Sequence, residues 1–157
     1  MTTLRPRFTK TVSCLLAALL IAACGGDSPE KLIASGKEYL EKKDTKAAVI
    51  QLKNALQQNP NLAEARFLLG SALLDSGDIQ GAEVELRKAQ ALNYAADSVV
   101  PLLARSMLSL NQAQKLIDEF GKTSLASGPA QSSLKSSLSA VHAILGNNER
   151  SKELLAE

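Results

Sequence analysis

From residue 32 onward, apolar residues recur at three- and four-residue steps: Leu32, Tyr39 and Leu40 form one stripe, and Val49, Leu52 and Leu56 form another. Between them lies a polar stretch around Asp44. This spacing puts each set on one face of an α-helix, and no segment alternates with the period of two that marks a half-buried strand. The pattern then repeats. LIASGKEYLEKKDTKAAVIQLKNALQQNP, beginning at Leu32, lies over RFLLGSALLDSGDIQGAEVELRKAQALNY, beginning at Arg66, without a gap. Gly36 falls on Gly70, Leu40 on Leu74, Asp44 on Asp78, Ala48 on Ala82, Leu52 on Leu86 and Ala55 on Ala89, each pair 34 positions apart. An ungapped register that also aligns both turn aspartates predicts two helices per unit, each of about 14 residues.

Local chemistry sets the ends of these helices. Ser28 before Pro29 suits a helix start, Asp44 and Asp78 sit where a side chain would accept orphan amide hydrogens, and Asn59-Pro60-Asn61 closes one helix and opens the next. A third unit, VPLLARSMLSLNQAQKLIDEF from Val100, keeps Ala104 at the small position but carries Leu116 where an alanine is expected. A fourth begins after Gly128-Pro129 with Leu134, Leu138, Val141 and Leu145 at helical spacing, and LGNNERSKELLAE supplies a turn and second helix. Ser124 to Ser139 holds seven serines, the composition of a linker, yet its apolar spacing favours helix. The last helix stops at Glu157 without the polar capping helix that terminal repeats need, so a fragment or truncated reading frame is expected.

This pattern resembles the tetratricopeptide repeat, a 34-residue helix-turn-helix with small residues at fixed places and a closing proline. Pro60 fits that proline, Tyr94 stands in its place in the second unit, and Leu32 replaces the usual tryptophan. The resemblance implies an all-α fold, a TPR-type α-solenoid of antiparallel helix pairs, with units at about 29–62, 63–96, 97–128 and 129–157. Gly36 and Gly70 would let the paired helices approach, with Ala48 and Ala82 filling the remaining gap. Two mid-helix glycines at equivalent places need such a reason, since each costs about 1 kcal/mol against alanine. The first helices would line a concave groove. Carried over residue by residue, its lining is Glu30, Ile33, Lys37 and Leu40, then Glu64, Phe67, Ser71 and Leu74, then Ser98, Pro101, Arg105 and Leu108. Lys37, Phe67, Ser71 and Arg105 are the expected partner-binding set, with Phe67 as anchor between two cations. The alternative is that Phe67 only covers the core between units.

Composition narrows the chemistry. The chain has 157 residues, 18 basic and 16 acidic, but Arg5, Arg7 and Lys10 belong to an N-terminal segment that reads as removable; without them the balance is about −1. With that balance, no tryptophan and few other aromatics, neither a basic face nor a stacking surface for nucleic acid is expected. His142 is the sole histidine and occupies the place of Tyr39, Leu73 and Met107, where it reads as a packing residue with one ring nitrogen satisfied. Neighbouring acids such as Asp118-Glu119 point to different sides of a helix and make a poor acid/base pair. Gly25-Gly26 follows no strand and reads as a tether. No catalytic residue, metal ligand, small-molecule substrate or enzymatic activity is expected.

The N-terminus adds a location. Arg5, Arg7 and Lys10 precede the apolar run Val12 to Ala23, the order of a secretory signal, and about a dozen residues is short of the roughly 20 that span a bilayer. Ile21-Ala22-Ala23-Cys24 resembles the lipobox of bacterial lipoproteins. The resemblance implies a lipoprotein signal peptide at 1–23, a diacylglycerol on the Cys24 thiol, an N-acyl chain such as palmitate on its amino group, and a lipidated tether at 24–28; a plain signal with an incidental cysteine is the alternative. Two or more acyl chains hold a protein stably on a membrane where one does not. Asp27 comes too late for the inner-membrane retention signal, which favours the outer membrane, facing the periplasm. The run from Cys24 to Asp78, above all AAVIQLKNALQ, and VVPLLARSML further on, resemble the TPR-repeat lipoproteins of PEP-CTERM/exosortase systems. That implies a membrane-anchored scaffold for cell-envelope proteins at loci of exopolysaccharide production and protein sorting. The runner-up keeps the anchor but assists assembly of outer-membrane barrels or pilus secretins.

Overall fold

A computed structural model describes residues 26–156, so the 1–23 signal and Cys24 lie outside the described residues. The described chain is all helix and turn, and the all-α repeat solenoid read from the sequence is its fold. Four antiparallel pairs follow one another: α1 (Pro29–Glu41) with α2 (Thr45–Gln58), α3 (Ala63–Asp75) with α4 (Ile79–Ala91), α5 (Ala96–Ser109) with α6 (Ala113–Phe120), and α7 (Gly128–Ile144) with α8 (Asn148–Ala156). No described helix is long and apolar enough to cross a membrane.

The helix starts follow the cap chemistry. Ser28 accepts from the Lys31 amide with Pro29 at the first helical position, Asp44 accepts from the Ala47 amide at 3.1 Å, and Asp78 from the Gly81 amide at 2.9 Å. Each pair turns through one residue in the left-handed region: Lys43, Gly77, Asn111 and Gly146 have φ of 59°, 87°, 56° and 80°. Glycine and asparagine accept this conformation readily, whereas lysine does so at a cost.

Helix length departs from the uniform expectation. α6 has 8 residues and ends where the Gly121 amide donates to the Ile117 carbonyl at 2.8 Å. α8 has 9 described residues, and α7 extends to 17. The serines do not unravel α7, since Ser136 and Ser137 donate back to the carbonyls of Ser132 and Ser133, and Ser139 bonds Ser151 across to α8.

The core falls into two clusters. The smaller holds Leu32, Ile33, Leu52, Ala55, Leu56, Ala65 and Leu69 from α1 to α3. The larger runs from Leu86 in α4 through Leu103, Met107, Leu116 and Leu134 to Leu154 in α8. First helices meet in sequence, α1 on α3, α3 on α5 and α5 on α7, while α2 and α4 nowhere bring their Cα atoms within 8 Å. The second helices therefore splay, and α3 forms the floor of the gap between α2 and α4.

Candidate protein-binding groove

Across the first helices, the side chains form a small polar and aromatic cluster. Lys37 of α1 meets Glu64 of α3 with Nζ to Oε1 at 2.6 Å, both side chains nearly half exposed. The Glu64 carboxylate holds the Lys37 ammonium above its ordinary value. Tyr94 comes in from the turn after α4. Its ring stacks on Phe67 with centroids 4.7 Å apart and planes 19° from parallel. Both rings also pack on the larger core cluster, so Phe67 covers the core and is itself partly buried.

Ser71 lies one turn further along α3 and is half-buried, while Arg105 on α5 is exposed with no ion pair to another described residue. Lys37 is already paired to Glu64, so Arg105 is the unpaired cation of this set. Three residues carried over from the family pattern do not line the surface: Ile33, Leu74 and Pro101 are buried, because in this chain those positions point into the packing between helices. Tyr94 is the residue that the sequence reading missed. The signal was available, an aromatic standing where the repeat calls for proline.

Beneath the groove, Gly36 and Gly70 make room for leucines. A Cβ on Gly36 would stand 2.9 Å from Leu52 Cγ, and one on Gly70 would stand 2.7 Å from Leu86 Cγ and 3.1 Å from the Leu86 amide nitrogen. Ala48 and Ala82, both fully buried, sit one turn before those leucines.

The side formed by the second helices is organised by charge. Between α4 and α6, Arg87 pairs with Glu83 at 2.9 Å and grips both oxygens of Glu119 at 2.9 and 3.1 Å; Gln112 and Lys115 also reach Glu83. Burial works against the charge on Glu83, but the hydrogen bonds from Arg87 and Gln112 outweigh it and hold the carboxyl below its ordinary value. Glu85 behaves alike, with burial opposed by Lys88 and Arg66. His142 is half-buried on α7, and its Nδ1 is enclosed without a hydrogen-bond partner. Among the described residues no three metal-ligating side chains gather. Cys24 lies outside the described residues.

Comparison with known proteins agrees with this architecture. Residues 36–77 match the TPR repeat family. Of the solved structures, the crystal structure of MamA aligns with a TM-score of 0.74 at 24% identity, covering 89% of this chain and 80% of that one. Pseudomonas aeruginosa pilF aligns at 0.61 with 21% identity over 80% of this chain and 57% of its own. The APC/C hetero-tetramer Cut9-Hcn1 aligns at 0.66 with 19% identity over 92% of this chain, which spans 28% of its length. No curated protein matches. The chain carries a TPR repeat at 36–77, and its fold is a TPR-type α-solenoid.

Proposed function

We propose that this chain is a lipid-anchored TPR scaffold, not an enzyme, which faces the periplasm from the outer membrane and holds protein partners in a PEP-CTERM/exosortase-associated exopolysaccharide and envelope system. The observation that carries the binding role is the partly buried Phe67–Tyr94 stack, flanked by the Lys37–Glu64 pair and by the unpaired Arg105. A rigid aromatic pair with a nearby cation offers an anchor and a charge to a peptide segment. The anchor rests on the Ile21-Ala22-Ala23-Cys24 lipobox resemblance, and the envelope system rests on the resemblance of AAVIQLKNALQ and VVPLLARSML.

The test is crosslinked pull-down from membranes with wild type, Phe67→Ala and Arg105→Glu, together with mass spectrometry of the mature N-terminus. Acylated Cys24, and partners from the polysaccharide or sorting machinery lost by about 2 kcal/mol or more in each variant at unchanged helical content, are the expected results. An unmodified N-terminus removes the anchor. Recovery of barrel-assembly or pilus-secretin components alone moves the reading to the runner-up.

A further inference from the structure

The gap between α2 and α4 and the gap between α4 and α6 are built from equivalent residues 34 positions apart, and neither helix pair brings its Cα atoms within 8 Å, yet side chains bridge the second gap and not the first. In the α4/α6 gap, Arg87 spans from Glu83 to Glu119, its guanidinium also lies 3.5 Å from Met107 Sδ on the floor, and Lys115 and Gln112 fill the remainder around Glu83. In the α2/α4 gap, Lys53 stands where Arg87 does, Val49 replaces Glu83, Leu73 replaces Met107, Gly81 replaces Lys115 and Asp78 replaces Gln112.

The carboxylate equivalent to the one that crosses the bridged gap is diverted. Glu85 corresponds to Glu119, but it bonds Arg66 at 2.6 Å and Lys88 at 2.8 Å. The counterpart of Arg66 in the next unit is Val100, which has no charge to draw Glu119 away. Lys53 is therefore left without either carboxylate that its counterpart holds, and Lys46 two turns earlier is likewise unpaired among the described residues. Asp78, on the same rim, spends an oxygen on the Gly81 amide.

What remains is a cleft with an apolar floor and two unpaired lysines on a rim that also carries Asp78 and the already paired Glu85. One part, about 390 Å³, is lined by Lys53, Leu69, Leu73, Val84, Asp78 and Glu85; an adjoining part of about 360 Å³ shares Leu73 and Asp78 and adds Lys46, Val49 and Ile50. Ile50 and Val84, themselves 34 positions apart, are 57% and 51% exposed, and the third unit ends this stripe with Asp118. We infer that the α2/α4 cleft is a second docking site, distinct from the Phe67–Tyr94 groove, for a protein segment that combines apolar side chains with carboxylates. The apolar side chains seat on Leu73, Val49 and Val84, and a carboxylate takes up the position beside Lys53 that Glu83 and Glu119 hold beside Arg87.

Fluorescence anisotropy on the full chain tests this with a labelled synthetic peptide of leucines and glutamates at helical spacing, and a twin with every glutamate replaced by lysine. The wild type is expected to bind the glutamate peptide about tenfold tighter or more than the twin. Val49→Glu supplies an internal carboxylate four residues before Lys53, the arrangement of Glu83 and Arg87, and is expected to lose the glutamate peptide by a similar factor. Lys53→Glu reverses the preference between the peptides, a gain that a misfolded variant could not give, and the preference persists in Phe67→Ala. The inference is overturned if the two peptides bind alike, if Val49→Glu changes nothing, or if Phe67→Ala abolishes the preference. It is also overturned if the wild type sediments as a dimer that Val49→Glu separates, for then a second copy of this chain occupies the cleft.

Discussion

At the scale of single residues, space decides the role of the glycines. Gly70→Ala would gain about 1 kcal/mol of helix propensity, but its new Cβ meets Leu86 at 2.7 Å, and Leu86 is fully buried with nowhere to go. Overpacking of this kind costs about 1 to 3 kcal/mol, so calorimetry is expected to show a lower melting temperature. Gly128→Ala, which meets no atom within 4 Å, is the control and should be neutral or slightly stabilising. Should Gly70→Ala melt at or above wild type, the close approach has no energetic weight. The 34-residue offset singles out both helical glycines, but not Leu52 and Leu86 as their neighbours, since spacing gives the register of a helix and not the rotation of its partner. Lys43 was equally hidden. It shares the left-handed turn position with Gly77, Asn111 and Gly146, and a lysine carries no turn signal of its own.

Between elements, charge does what apolar contact does elsewhere. α4 and α6 are joined through Glu83, Arg87 and Glu119, and α3 and α4 through Arg66 and Glu85. Glu83 and Glu85 both titrate below the ordinary carboxylate value in the folded chain. A depressed carboxyl contributes stability that is fully present above the unfolded value of about 4.3 and is lost as pH falls through the folded value. Urea unfolding is expected to give a stability from this source that is flat from neutral pH down to about 5 and falls below about 4.3. Glu83→Gln should lower the plateau and make the acid limb shallower, whereas an unchanged limb would place the acid sensitivity elsewhere. The existence and order of the helices were legible because caps and apolar stripes are local. The 8 residues of α6 were not: Phe120 is buried like its counterparts Leu52 and Leu86, past which α2 and α4 run on, so burial at this position does not mark the stop.

Taken as one array, the described residues are held by contacts between successive helices. Among them α8 meets α7 alone, and α1 rests on α2 and, lightly, on α3, whereas α5 meets α3, α4, α6 and α7. In such arrays stability is roughly a sum over adjacent units. Native-state hydrogen exchange is therefore expected to show α1 and α8 opening at lower free energy than α5, with Leu103 and Met107 amides among the last to exchange; equal protection throughout would mean one cooperative unit instead. The Phe67–Tyr94 stack has a use in any such experiment. The chain contains no tryptophan and only two tyrosines, at 39 and 94, so its intrinsic ultraviolet emission comes from two rings, one of which lies in the groove. Replacing Tyr39 with phenylalanine leaves a single emitter, and the brightness of that emitter then registers, without any attached dye, each time something settles against Phe67 or departs.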